Sequence, residues 1–400
     1  MDDPSAIAQS AVPRMKAPTL AALPLTGSGA ANWLGPALAG DILDEAVRLG
    51  GGYGLSRHTT FRAGKDTRSL FALGATAVLS GRLDAGGLAL RLERPGGHDP
   101  ACLVLPAPAP AALRGTADTA AAWMVAETGG SLDLPDELRP AARAAVPAAS
   151  HTACLESLED LWQFTPVGSA RALARLRVAC DSGQASTECH ALRAFMVARS
   201  YRSGQITDRA AAVAEVTAAL EATRAGWSDA PVLLWSTAFA EAMLFRRYPV
   251  AAALVRRAVL MQPHASPVLA WGSLFLSYDL DFEAALALAR RSMLTSPEDP
   301  MRVTQGFAAA LAAIHAGRDR EALDHCDQVL SIDPAMPNVL RIRAVALHYL
   351  GDRIGASDTI ERLLAIDPKE SCTLTSRVNP LREWEGFQRF LDGLKGAGLP

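Results

Sequence analysis

The chain has 400 residues, and its 39 basic and 42 acidic side chains leave a formal charge of −3, without the positive field that generic nucleic-acid binding needs. Half the residues are hydrophobic, yet only 6% are aromatic and 20% charged. That balance suits helices packed through small side chains and excludes disordered, collagen-like and disulfide-dense classes. At about 100–200 residues per domain, two or three domains are expected.

In chain order, the start MDDPSAIAQS is acidic and lacks a basic region followed by an apolar one, so no secretory signal is expected. The uncharged run from Lys16 to Asp41 is interrupted by Pro24, Gly27, Gly29, Asn32, Gly35 and Pro36, which argues against a membrane span. Beyond it the pattern predicts strands at 19–25, Gly54–Thr60, Thr76–Leu79 and Leu88–Glu93. Helices are predicted at Trp33–Leu49, Asp66–Leu73 and Ala117–Glu127. This alternation implies a small α/β domain. Two Pro- and Ala-rich stretches, 105–113 and 139–150, flank the last helix, and the second is the expected boundary.

From about His151 the pattern turns helical. Ala172 and Ala179 stand seven apart like the small positions of a second helix, and Glu188–Ser200 with Asp208–Thr223 read as another helical pair. Four stretches then end alike, Ala251–Pro263, Ala285–Pro297, Ala322–Pro334 and Ala356–Pro368, each helix stopped by proline. The prolines lie 34, 37 and 34 residues apart, and 34 is the tetratricopeptide period of two antiparallel helices. The first helix of each unit reads at Val232–Leu244, Pro267–Tyr278, Arg302–Ala316 and Asn338–Leu350, with Gly317 and Gly351 placed where left-handed closing residues are wanted. Glu383–Leu394 reads as an amphipathic helix capping the last repeat. The expected fold is therefore a small α/β domain followed by an all-α tetratricopeptide right-handed helical solenoid of about six units. The expected segments are a disordered start at 1–16, the α/β domain at 17–138, a linker at 139–150, the solenoid at 151–379, and a capping helix and tail at 380–400.

The order of these pieces resembles a bacterial regulator family in which a TolB-like amino-terminal domain precedes tetratricopeptide repeats. The residues that carry the resemblance are Leu23, Pro24 and Leu25, then Ser56 and Arg57, then Gly74, Ala75, Val78, Leu79 and Gly81, and finally the closing FLDGLKGAGLP. It extends over roughly residues 17–400. Members usually carry a winged-helix or nucleotide cyclase effector at the N-terminus, and about sixteen residues before the first strand are too few for one. The resemblance thus implies the interaction half of a regulator, with a separate DNA-binding or cyclase subunit as a possible partner. Leu25 departs from the family's Phe, and Arg94–Arg114 is proline-rich where relatives continue a sheet.

Chemistry-bearing motifs are sparse. Gly27-Ser28-Gly29 lies between a strand and a helix, but Asn32 takes the third glycine position of a dinucleotide fingerprint and no acidic residue ends the next strand. Nucleotide-dependent catalysis through the Gly27–Asn32 loop is the minor alternative. Gly51, Gly52 and Gly54 lack the Lys-Ser/Thr of a phosphate-binding loop. HExxH and GxSxG are absent, and the adjacent pairs Cys189-His190 and His325-Cys326 diverge on a helix. Neither an enzyme activity nor a cofactor or metal is expected. The six cysteines, Cys102, Cys154, Cys180, Cys189, Cys326 and Cys372, show no CxxC, which suits free buried thiols in a reduced cytoplasmic chain.

The candidate site is the solenoid groove, where repeat arrays hold peptides. Helical phase places Met243, Leu274, Tyr278, Phe307, Leu311, Ile314, His315, Arg341, His348 and Tyr349 along it, together with Ser236, Ala240, Leu244, Ser277 and Val345. Arg341 and Asn338 are the only polar pair offered to a terminal carboxylate. The expected ligand is an apolar or amphipathic protein segment. The α/β domain and the chain's own tail are the competing occupants, because so apolar a face seldom stays bare.

Overall fold

The computed structural model describes residues 19–27, 34–50, 53–55, 57–62, 67–96, 98–108, 112–128, 148–162, 165–226, 230–262 and 265–400. The chain divides into two compact units, one of residues 14–268 and one holding residues 269–400.

The first unit opens with strands β1 (Thr19–Ala22) and β2 (Thr26–Gly27), helix α1 (Leu34–Gly50), strand β3 (Tyr53–Gly54) and short helices α2 (Arg57–Arg62) and α3 (Thr67–Ala72). Strands β4 (Ala77–Asp84), β5 (Gly87–Glu93) and β6 (Ala101–Leu105) follow, then helix α4 (Leu113–Thr128). The sheet order is β3-β1-β4-β5-β6, with β2 also on β4. β1 is parallel to β3 and β4, whereas β4, β5 and β6 are antiparallel neighbours. Alternation along β1 divides its side chains between two cores. Leu20 and Ala22 join Leu38, Ile42, Leu79, Leu88, Leu92 and Met124 under α1 and α4, while Ala21 joins Leu55, Leu70 and Val78 on the other face.

Three sequence expectations are corrected here. Gly54–Thr60 is not one strand: pairing ends when the Leu55 amide donates to the Leu20 carbonyl at 2.8 Å, and the buried Thr59 and Thr60 lie on α2. β4 runs to Asp84, well past Leu79, because a two-residue turn lets it pair with all of β5. The proline-rich stretch after Arg94 does not end the sheet, since β6 adds an edge strand pairing Ala101–Leu105 with β5. The Gly27–Asn32 loop and residues 1–16 fall outside the described residues, Gly27 excepted.

The helical region begins at α5 (Ala148–Leu161), inside the stretch expected as linker; residues 139–147 lie outside the described part. It continues in the first unit with α6 (Pro166–Asp181), α7 (Thr187–Arg202), α8 (Arg209–Thr223), α9 (Pro231–Met243) and α10 (Tyr248–Met261). These share their unit with the sheet: Arg114 on α4 pairs with the buried Glu188 on α7 at 2.9 Å. Then come α11 (Ser266–Tyr278), α12 (Phe282–Thr295), α13 (Arg302–His315), α14 (Asp319–Leu330), α15 (Pro337–Tyr349) and α16 (Arg353–Ile366), completing six successive pairs among the described residues. First helices begin at Pro231, Ser266, Arg302 and Pro337, spacings of 35, 36 and 35 residues.

The physical basis of that period is visible at each crossing. Ala251, Ala258, Ala285, Ala289, Ala322, Ala344 and Ala356 are fully buried, so helix backbones approach closely over small side chains. Gly317 and Gly351 take left-handed φ values of 74° and 84°, as the sequence predicts for residues closing α13 and α15. The chain finishes with α17 (Cys372–Val378) and α18 (Phe387–Gly396).

Candidate functional site

In the first unit the aromatic positions of α9 turn inward. Trp235 and Phe239 meet Phe195 of α7 edge-on at 5.0 and 4.7 Å between ring centroids. Ser236 and Ala240 are fully buried and Leu244 nearly so, which makes them crossing residues, and Met243 keeps a half-buried position at the end of α9.

In the second unit the expected positions form two groups. Leu274, Leu311 and Ile314 are buried, as are Ser277 and Val345, while Tyr278 and Phe307 are half-buried. His315, His348 and Tyr349 are brought together by the chain's own tail. α18 lies along α15 and presents Phe387, Phe390 and Leu394, all buried. The segment expected to cap the end of the last repeat therefore covers a face of it, and helix formation starts at Phe387 rather than Glu383. Gly393 and Gly396 explain the closeness of the fit. A methyl on Gly393 would overlap Val345 and Tyr349, and one on Gly396 would overlap the His348 ring.

Arg389 fastens this contact. Its Nη2 donates to both carboxylate oxygens of Asp319 at 2.8 Å, its Nη1 donates to the Ile314 carbonyl at 3.4 Å, and its guanidinium lies 3.8 Å from the Tyr349 ring centroid. Tyr349 answers by donating its hydroxyl to the Arg389 carbonyl at 2.7 Å. Trp384, just before α18, meets Phe282 at 4.8 Å and His315 at 5.5 Å, and Phe390 stands 5.3 Å from His315. His315 is thus caged by rings, with its Nε2 buried and unpartnered, beside a cavity of about 250 Å³ lined by Ile314, Trp384, Gly386, Arg389 and Phe390. Burial, reinforced by the Arg389 charge, pushes its imidazole pKa down to about 3.

The polar pair expected for a carboxylate is already engaged. Arg341 donates through Nη1 to Asn338 Oδ1 at 2.6 Å, and its other nitrogens pair with Glu370, Nε to Oε2 at 3.2 Å. Among the described residues no group of three His, Cys, Asp or Glu could hold a metal ion, and no helix is long and apolar enough to cross a membrane.

Sequence reasoning missed the clamp of Arg389 on Asp319 and the glycine face of α18. The signal available for the latter was the three-residue spacing of Gly393 and Gly396 on one side of an amphipathic helix.

No family model matches the chain, and no curated protein resembles it in sequence. Among solved structures, MamA MSR-1 is similar at 18% identity with a TM-score of 0.34, over 43% of this chain and 97% of its own. PilW, described as a widely conserved type IV pilus biogenesis factor, is similar at 16% identity with a TM-score of 0.38, over 52% of this chain and 88% of its own. The helix-pair architecture therefore rests on the spacing and crossings described above.

Proposed function

We propose that this chain is a non-enzymatic protein–protein interaction module whose helix-pair array takes an amphipathic helical segment of a protein partner. The observation that carries this reading is the docking of α18. An aromatic-faced helix with glycines at its closest approach and one arginine at its edge lies on the faces of α13 and α15, and this supports a partner segment of the same chemistry. A partner helix with the same pattern would compete with the tail for His315, His348 and Tyr349. Within the second unit Tyr278 and Phe307, both half-buried, extend the candidate contact surface. The sequence of a small sheet domain followed by six helix pairs is also the order that the TolB-like resemblance implies, which supports a regulatory role exercised through another subunit.

The test is affinity capture by the full chain from its native host. Capture by a Phe387→Asp, Phe390→Asp variant, with its tail undocked, is expected to exceed that by the wild type several-fold. Adding Phe307→Asp should return it to background. Unchanged recovery in both variants, each shown to be folded, would remove the groove as the binding surface.

A further inference from the structure

Cys154 on α5 and Cys189 on α7 stand 35 residues apart in the sequence, and the fold brings their Sγ atoms to 2.6 Å. Two unreacted sulfurs in ordinary contact lie about an ångström farther apart, whereas a disulfide bond is about 2.05 Å long. The two residues sit on the first helices of successive pairs, one repeat apart, so the helical period makes their helices neighbours and the two side chains face each other between them.

The surroundings differ on the two sides. Cys189 is the third residue of α7, whose N-cap Ser186 accepts from its amide at 3.3 Å, so it stands in the first turn, where the helix dipole favours a thiolate. Ser150 meets its Sγ twice: the hydroxyl donates to it at 3.3 Å, and the thiol donates to the Ser150 carbonyl at 3.2 Å. Cys154 sits within α5, 6% exposed, where a weaker contact with Ser186 opposes the upward pull of burial. The hydrogen bond between the sulfurs holds the Cys189 thiol below its ordinary range, and the same bond with burial pushes that of Cys154 up.

We propose that Cys154 and Cys189 form a redox-active dithiol that closes to an intrachain disulfide between α5 and α7, with a small hydroperoxide as oxidant. Cys189 is fully buried, so an oxidant reaches it only when the start of α7 opens locally, which favours one as small as hydrogen peroxide over bulky disulfides. The Cys189 thiolate attacks one peroxide oxygen. The O–O bond breaks, the departing hydroxide takes up the proton that Cys189 gave up on ionising and becomes water, and the sulfur is left as a sulfenic acid. The Cys154 sulfur then attacks the Cys189 sulfur, the S–O bond breaks, and the hydroxyl departs with the Cys154 proton as a second water. Two thiols are oxidised to one disulfide while one peroxide is reduced to two waters.

The test uses the full chain, reduced, desalted and treated with hydrogen peroxide. After denaturation and alkylation, intact mass is expected to fall from six alkyl labels to four, the remaining mass showing a loss of two hydrogens. Cleavage on both sides of Glu188 separates Cys180 from Cys189, and the linked peptides should contain Cys154 and Cys189. The Cys154→Ser variant should form no such link, whereas Cys180→Ser should form it undiminished. Retention of six labels, or a link from Cys189 to Cys180 or between chains through Cys102, would overturn the assignment.

Discussion

The sheet and the helix pairs are both well packed, but by opposite means. Under α1 and α4 the sheet fills its interior with large side chains, Leu20, Leu79, Leu88, Leu92 and Met124 among them. The helix pairs are buried largely through alanine, with Ala308, Ala309, Ala310, Ala312 and Ala313 all inaccessible on α13 alone. A sheet core gains stability from volume that fills space between layers, whereas the helix crossings gain it from backbones that come close. The sheet should therefore be injured by truncation and the repeats by enlargement.

Four experiments break or sharpen that contrast. Leu79→Ala at the centre of the sheet should cost about 2–5 kcal/mol, read as a lower urea midpoint of the transition that carries the sheet. Gly306→Ala on α13 comes next. In an open helix this change gains about 1 kcal/mol, but here the new methyl would meet Val329 Cγ2 of α14. A loss of about 1–3 kcal/mol is expected instead, and Val329→Ala in the same chain should recover part of it. A gain in stability from Gly306→Ala alone would show that the crossing is looser than described.

The third concerns pH. An unfolded chain protonates His315 near pH 6.5, whereas the folded one resists protonation down to about pH 3. The unfolded state therefore binds the extra proton between those values, so this contribution to stability is complete above about pH 6.5 and declines as the pH falls toward 3. The Arg389 guanidinium, paired with Asp319, faces the same ring cluster and its charge acts on His315 in the same direction as burial. His315→Phe should flatten the acid limb of a stability-against-pH curve, and an unchanged limb would place the titration elsewhere. The smallest effect is expected from Asp208→Ala, which removes the side chain that accepts from the Ala210 and Ala211 amides at 2.8 and 3.0 Å. About 1 kcal/mol should be lost, measurable as increased amide exchange at the start of α8.

The repeats were legible in the sequence because their period repeats itself: prolines, small positions and closing glycines recur at about 35 residues, and each confirms the others. The sheet was less legible, since strands of two to five residues such as β2, β3 and β6 have no period long enough to read. Thr59 and Thr60 illustrate the failure, having β-branched side chains that favour extended chain while burial places them on α2. The groove shows a third kind of limit. Phase alone set Ser236, Ala240 and Val345 on the open face, yet all three are at crossings, because phase reports angle and not which neighbour fills it. Nor could a linear pattern show that Arg389 reaches Asp319, 70 residues earlier, or that Cys154 and Cys189 meet.

The docking of α18 on α15 is the feature on which the functional reading depends, and amide hydrogen exchange over residues 387–396 tests it most directly. A ten-residue helix is marginal in water by itself. In the wild type these amides are predicted to exchange orders of magnitude more slowly than in an open chain, and in Phe390→Asp they should exchange freely while α5 to α8 keep their protection. Open-chain exchange of residues 387–396 in the wild type would contradict the account.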